Sequence, residues 1–145
     1  MTRYVLDASV AARFLLSESL SDKAATLLRD FIEGRVELAA PSIMVYEVGN
    51  ALWKAARTGT VDLEAAKKKQ QRLFDLSIPT VNLEDGDHAD TLDLAHTLDA
   101  TYYDAAYATA ASKTGATLLT ADNALYRRTA QQQPTLHLKD YAPAR

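Results

Sequence analysis

Strand-like and helix-like segments alternate along this chain, and that alternation limits the fold more than any other feature. Tyr4-Val5-Leu6 has the length and β-branched content of a buried strand, and Ala8 to Leu16 after it is apolar and helix-compatible. Ser21, Asp22 or both are placed to cap a second helix, whose apolar positions Ala25, Leu28, Phe31 and Ile32 recur at helical spacing up to Gly34. Val36 to Ala40 reads as a strand closed by Pro41. Pro41-Ser42 then opens a helix in which Ile43, Val45, Tyr46, Leu52 and Trp53 interleave with Glu47, Asn50 and Lys54 up to Gly59. Asp62 starts a polar helix to about Leu76, and Ile78 to Val81, which contains Pro79, fits only a short or edge strand. Glu84 to Asp87 supplies cap and first-turn charges for a helix through about Leu98. An Ala-rich helix around Tyr103 to Ala108 ends at Gly115. Strand Thr117–Thr120, a short helix from Asn123 to about Ala130 and strand Thr135–Leu138 complete the pattern. Strands separated by helices predict an α/β fold, with a mainly parallel central sheet flanked by helices on both faces and a single domain over residues 1–145.

Two of these strands end on an acid. Asp7 follows Leu6, and Asp122 lies two residues beyond Thr120. In a parallel sheet ligands bind beyond the carboxyl ends of the strands, so both acids fall where a site is expected. Each also fits as a helix cap, and one residue alone does not choose between these roles. Among the 19 acids, two more have unusual surroundings: Glu47 within an apolar helical stripe, and Asp104 in the first turn of the Ala-rich helix. Gly49 beside Glu47 reads as a place for close backbone packing. Asp99 competes with Asp104 as the helix-entry acid.

Four carboxylates in one cleft need neutralising, because two bare ones about 4 Å apart repel by roughly 4 kcal/mol at an effective dielectric near 20. Shared protons or a hard divalent cation would do it. The chain has no cysteine, so thiolate zinc sites, a cysteine nucleophile and disulfides are excluded, and the available donors are oxygens suited to Mg²⁺ or Mn²⁺. Such an ion, held by carboxylates and waters, supports metal-dependent nuclease chemistry. A net charge of −3 argues against a protein that coats nucleic acid by bulk electrostatics. The chain has no G-x-S-x-G elbow and no phosphate-cradling glycine loop, and the histidines His88, His96 and His137 lack zinc spacing and are read as exposed or capping. Lys67-Lys68-Lys69 reads as a solvated helix face, and Trp53 and Phe74 as core or interface. Arg3, Arg13, Arg57, Arg127 and Arg128 are candidates for phosphate contacts around the cleft, with Arg13 first because its helix starts at the site. No export signal or span-length apolar run is seen, so a soluble, cytoplasmic protein with no membrane contact is expected.

Tyr4-Val5-Leu6-Asp7-Ala8-Ser9, Val45-Tyr46-Glu47-Val48-Gly49-Asn50-Ala51-Leu52, Tyr103-Asp104-Ala105-Ala106-Tyr107 and Leu118-Leu119-Thr120-Ala121-Asp122 resemble, in that order, the motifs of PIN-domain ribonucleases, and VapC-type toxins in particular. The resemblance implies a PIN-like three-layer sandwich and a Mg²⁺- or Mn²⁺-dependent endoribonuclease, the toxin of a toxin–antitoxin pair. It further implies that Asp7 and Asp104 are the principal metal ligands and that Asp122 ligates directly or through water. Glu47 would be a ligand or a water-orienting base. Ser9 and Thr120 match positions that often carry a hydroxyl near the site, and Asn50 a common Asn one turn after the Glu. RNA as substrate, an antitoxin that wraps the toxin, and a homodimer are implied in the same way. Two other readings remain. In a phosphotransfer enzyme with Asp7 as nucleophile, a second acid is expected where Ser9 stands. A binding module of the same fold without catalysis would be expected to have lost one or more of the acids.

Overall fold

The computed structural model describes residues 1–145. Five strands form one sheet: β1 (Thr2–Leu6), β2 (Val36–Pro41), β3 (Thr80–Val81), β4 (Thr117–Thr120) and β5 (Thr135–His137). Their order across the sheet is β3-β2-β1-β4-β5 and every pairing is parallel. Seven α-helices connect them: α1 (Ala8–Arg13), α2 (Ser21–Ile32), α3 (Ile43–Arg57), α4 (Leu63–Asp75), α5 (Asp85–Leu98), α6 (Tyr102–Thr114) and α7 (Asn123–Thr129). Crossovers between parallel strands are right-handed, which puts α1 to α4 on one face and α5 to α7 on the other. The packing follows that division, α1 lying against α2 and α3, α3 against α4, and α5 against α6. No helix is long and apolar enough to cross a membrane.

The chain leaves β1 towards β2 but leaves β4 towards β5, so the adjacent strands β1 and β4 flank the point where the winding reverses. In open α/β sheets this is where a crevice forms beyond the strand ends. β1 and β4 are apolar because they are covered on both faces, and Val5, Leu6, Leu118 and Leu119 are fully buried. The Ala-rich stretch of α6 has the same cause. Residues 105–111 are all buried, and the five alanines among them let the helix lie close across β1, β2 and β4. Gly115 ends this helix in the left-handed conformation, at φ 64°.

Several local expectations are corrected. The apolar face of α2 is turned from the expected one: Ala24 and Leu27 are buried, while Ala25 and Ile32 are exposed. A polar residue explains the rotation. Asp30 is buried on that face, where it accepts from the Tyr141 hydroxyl (2.5 Å), the Ala144 backbone N–H (2.9 Å) and the Arg35 guanidinium (2.9 Å). The C-terminal segment is thereby tied down over α2. Neither Ser21 nor Asp22 caps α2; its cap position is Leu20 in a left-handed conformation, and the Ser21 hydroxyl serves the preceding turn through Glu18 and Leu16. Of the core and interface roles expected for Trp53 and Phe74, the core is excluded, both being half exposed, and Arg57 lies over the Trp53 ring. The Lys67–Lys69 run is a solvated face, as expected, except that Lys69 reaches the Leu15 carbonyl.

Candidate active site

Asp7 continues β1 by one residue, its N–H bonding to the Leu119 carbonyl of β4. It also caps α1, accepting from the Val10 N–H at 3.2 Å, so the capping role expected of it is real. The carboxyl is almost completely buried, at 4% exposure, and has two further donors. Ser9 donates to Oδ1 and Thr120 to Oδ2, each at 2.5 Å. Oδ1 thus has two partners and Oδ2 one, which leaves Oδ2 a free lone pair. Burial raises the pKa from its ordinary value to about 6, opposed by those three hydrogen bonds and reinforced by the nearby negative charge of Asp104.

Thr120 does more than hold Asp7. Its hydroxyl oxygen also accepts from the Asp122 N–H (3.0 Å), and Ser9 accepts from the Ala121 N–H (2.9 Å). Ser9 and Thr120 therefore lock the end of β1 to the end of β4. Asp122 caps α7, with Oδ1 accepting from the Ala124 and Leu125 N–H groups. Its second oxygen takes no protein hydrogen bond, and the residue is exposed.

Asp104 stands in the first turn of α6, whose start is fixed by Thr101 accepting from the Asp104 N–H at 3.0 Å. It is half-buried, and its pKa is raised first by that burial and then by the charges of Asp122 and Glu47; Arg128 on α7 pulls the other way. Mutual repulsion links Asp104 to each of the other three acids. Glu47, one turn into α3, is held from the opposite face of the sheet: the Tyr107 hydroxyl on α6 donates to its Oε1 at 2.6 Å. Tyr107 is buried and its pKa is pushed far up by burial and by Glu47, so it stays a protonated donor.

Of the four acids expected at one site, Asp104 feels the charge of each of the other three at the carboxyl edge of β1 and β4, and no three of them close into a metal-binding group. Ser9 and Thr120 are at this edge as well, both bonded to Asp7. Asn50 is exposed and joins none of these contacts. Arg13 is committed locally, its guanidinium donating to the carbonyls of Ser19 (2.7 Å) and Ser9 (2.8 Å); the arginine whose charge reaches the acids is Arg128. Gly49 makes no close backbone approach, since a Cβ there would meet only the Gln70 side chain at 3.8 Å. Asp99 ends α5 in the left-handed conformation and is exposed, so Asp104 is the helix-entry acid. Asp87 is a capping and ion-pair residue, bonded to the Glu84 N–H and to Lys113. His137 is buried rather than exposed, and it caps the 3₁₀ turn at Leu138–Asp140 through Nδ1.

Sequence reading passed over Tyr107 as a functional residue. Its signal was available in the spacing, because Asp104 and Tyr107 are three apart and so share one face of α6.

The PIN domain family model matches residues 4–131. The chain is similar to exonuclease VapC9 of Pyrobaculum aerophilum, 40% identical over 99 residues that make up 68% of this chain and 72% of the relative. It is 32% identical to ribonuclease VapC3 of the same organism over 138 residues, 92% of this chain and 97% of the relative. Among solved structures, PAE2754 from Pyrobaculum aerophilum superimposes with a TM-score of 0.71 at 25% identity, covering 95% of this chain and 92% of the other. FitAcB from Neisseria gonorrhoeae shares the fold at a TM-score of 0.66 and 15% identity, covering 95% and 99%. The all-parallel sheet with its acid-lined edge, and a family match over most of its length, make this chain a member of the PIN domain family.

Proposed function

We propose that the protein is a metal-dependent endoribonuclease and the toxin of a toxin–antitoxin pair, with Asp7, Glu47, Asp104 and Asp122 as its catalytic carboxylates. One observation carries this reading: four acids, just beyond β1 and β4, one turn into α3 and in the first turn of α6, stand at the sheet's switch point, where burial first and then mutual repulsion raise the pKa of Asp7 and Asp104. Such a cluster is costly unless a cation is held there. The donor set fits Mg²⁺ or Mn²⁺. No three His, Asp or Glu side chains close into a ready cage, and Mg²⁺ characteristically takes one or two carboxylates and keeps several waters.

Asp7, through the free lone pair of Oδ2, and Asp104 would hold the ion, with Asp122 contributing its uncommitted oxygen directly or through water. When bound, the ion supplies charge neutralisation for a phosphodiester and a water of lowered pKa. The protein's own groups do the rest. Ser9 and Thr120 fix the Asp7 carboxylate by hydrogen bonds that favour its ionised form. Glu47, oriented by Tyr107, is the acid placed to orient the attacking water and accept its proton. Arg128, whose charge acts on Asp104, would contact a substrate phosphate, with Arg13 a further candidate.

The names of VapC3 and VapC9 support the nuclease reading and, as VapC proteins, an antitoxin partner, while a homodimer is proposed on the sequence resemblance alone. VapC9 is named an exonuclease and VapC3 a ribonuclease, and a covalently closed RNA circle separates endonuclease from exonuclease cleavage. An endonuclease linearises the circle in Mg²⁺, and an exonuclease leaves it intact while degrading the linear strand. Cleavage is expected to stop in EDTA and in Asp104→Asn, with the variant still folded by circular dichroism. Full activity in either condition refutes the metal-site reading.

A further inference from the structure

Beside the acids, on the same edge of the sheet, a cleft of about 310 Å³ opens between the ends of β2 and β3 and the first turns of α3, α5 and α6. Ile43 and Val81 give it an apolar lining, and Asn82 adds an exposed amide at its rim. Its remaining side is aromatic. The His88 and Tyr102 rings are parallel within 2°, with centroids 6.0 Å apart, and are braced by a 2.5 Å contact between His88 Nδ1 and the Tyr102 hydroxyl. Tyr103, next along α6, is 57% exposed. None of these aromatic groups takes part in the acid site.

Their placement ties the cleft to that site. Ile43 lies one helical turn before Glu47 on the same face of α3, and Tyr103 immediately precedes Asp104. A strand whose phosphodiester faces the acids therefore has its neighbouring base within reach of the cleft. Bulk attraction does little for binding here, because the chain carries a net charge of −3 and concentrates acids at the site. Affinity for a polyanion must then come from its bases, and flat aromatic surfaces supply it by stacking.

We propose that this cleft is a nucleobase subsite, taking one unpaired base of a single strand between Tyr103 and the His88–Tyr102 pair, with the Asn82 amide at the base edge. The proposal rests on the nuclease reading, so binding is measured without turnover. Fluorescence anisotropy of short single-stranded RNA would be recorded with the intact protein in EDTA, which stops cleavage on the metal-dependent reading. Wild type, Tyr103→Ala and Tyr103→Phe would each be titrated with the intact strand and with strands carrying a single abasic nucleotide at successive positions. Tyr103→Ala is expected to bind about tenfold more weakly, and Tyr103→Phe nearly as well as wild type. One abasic position should weaken wild type by a similar factor and leave Tyr103→Ala nearly unaffected. Equal affinities for wild type and Tyr103→Ala, or no sensitive abasic position, overturn the subsite, as they would if the cleft received an apolar side chain of a protein partner. Wild type that binds no strand at all overturns the subsite, while the nuclease reading stands or falls separately on cleavage in Mg²⁺.

Discussion

Replacing Asp7 by Asn should make the metal-free protein more stable at neutral pH, the reverse of what losing a buried hydrogen-bonded residue normally does. Burial and Asp104 raise the Asp7 pKa from 3.8 to about 6, so ionising it costs more in the folded than in the unfolded chain. Below the unfolded pKa the carboxyl is neutral in both states and there is no penalty. As pH rises to about 6 the unfolded chain releases the proton first, and stability falls by about 3 kcal/mol, reaching a floor above that pH. Asn removes this penalty. It keeps two of the hydrogen bonds, its carbonyl accepting from Ser9 and Val10, but its amide donates where Asp7 accepted, so the buried Thr120 hydroxyl loses its acceptor, which offsets up to about 2 kcal/mol of the gain. The expected gain at neutral pH is about 1–3 kcal/mol, or roughly 3–9 °C in Tm for a chain of this size. Denaturant melts of both proteins in EDTA, taken from acid to neutral pH, give a difference curve in which Asp30 and the other acids cancel. Its slope should lie between the ordinary carboxyl pKa and about 6. A flat difference, or a variant less stable than wild type at neutral pH, would refute the argument that Asp7 is a penalised, buried charge.

Three other substitutions test neighbouring parts of the account. Tyr107→Phe removes only the hydroxyl that orients Glu47, so kcat should fall about tenfold with KM little changed and stability altered by about 1 kcal/mol; steady-state kinetics beside a denaturant melt would show this split. Thr120→Val deletes a hydrogen bond that favours ionised Asp7, so the acid limb of the pH–rate profile at limiting Mg²⁺ should move to higher pH. Asp30→Ala strips the buried Tyr141 hydroxyl and the Ala144 N–H of their acceptor and should cost about 2–4 kcal/mol in urea melts, with kcat per folded molecule unchanged.

How legible these features were in the sequence varied with their physical origin. The five strands and the helices were readable because both faces of the sheet are buried: Val5-Leu6 and Leu118-Leu119 are uninterrupted apolar runs, and Pro79 confined Thr80–Val81 to the sheet edge. Asp7 and Asp122 stood out because an acid closing an apolar strand is conspicuous. Glu47 and Asp104 were singled out by their apolar and Ala-rich surroundings, but their convergence with the other acids came from motif order, since periodicity says nothing about which helix ends meet. The rotated face of α2 was invisible for a related reason. A pattern search discards Asp30 as polar, and only contact with Tyr141 and Ala144, more than a hundred residues away in the chain, makes it an interior residue. Ranking Arg13 ahead of Arg128 from sequence missed its local partners, because the carbonyls of Ser9 and Ser19 that occupy Arg13 become its neighbours only once α1 ends and the chain turns.

The central claim is that the gathered acids are a divalent-cation site. Mn²⁺ binding to the apo protein, followed by loss of the free-ion electron paramagnetic resonance signal at neutral pH, tests it without reference to any RNA. Wild type is expected to bind Mn²⁺ in competition with Mg²⁺, and Asp7→Asn and Asp104→Asn to lose at least about tenfold in affinity while remaining folded, because each removes a ligand charge. Equal Mn²⁺ affinity in all three proteins, or none in wild type, would contradict it.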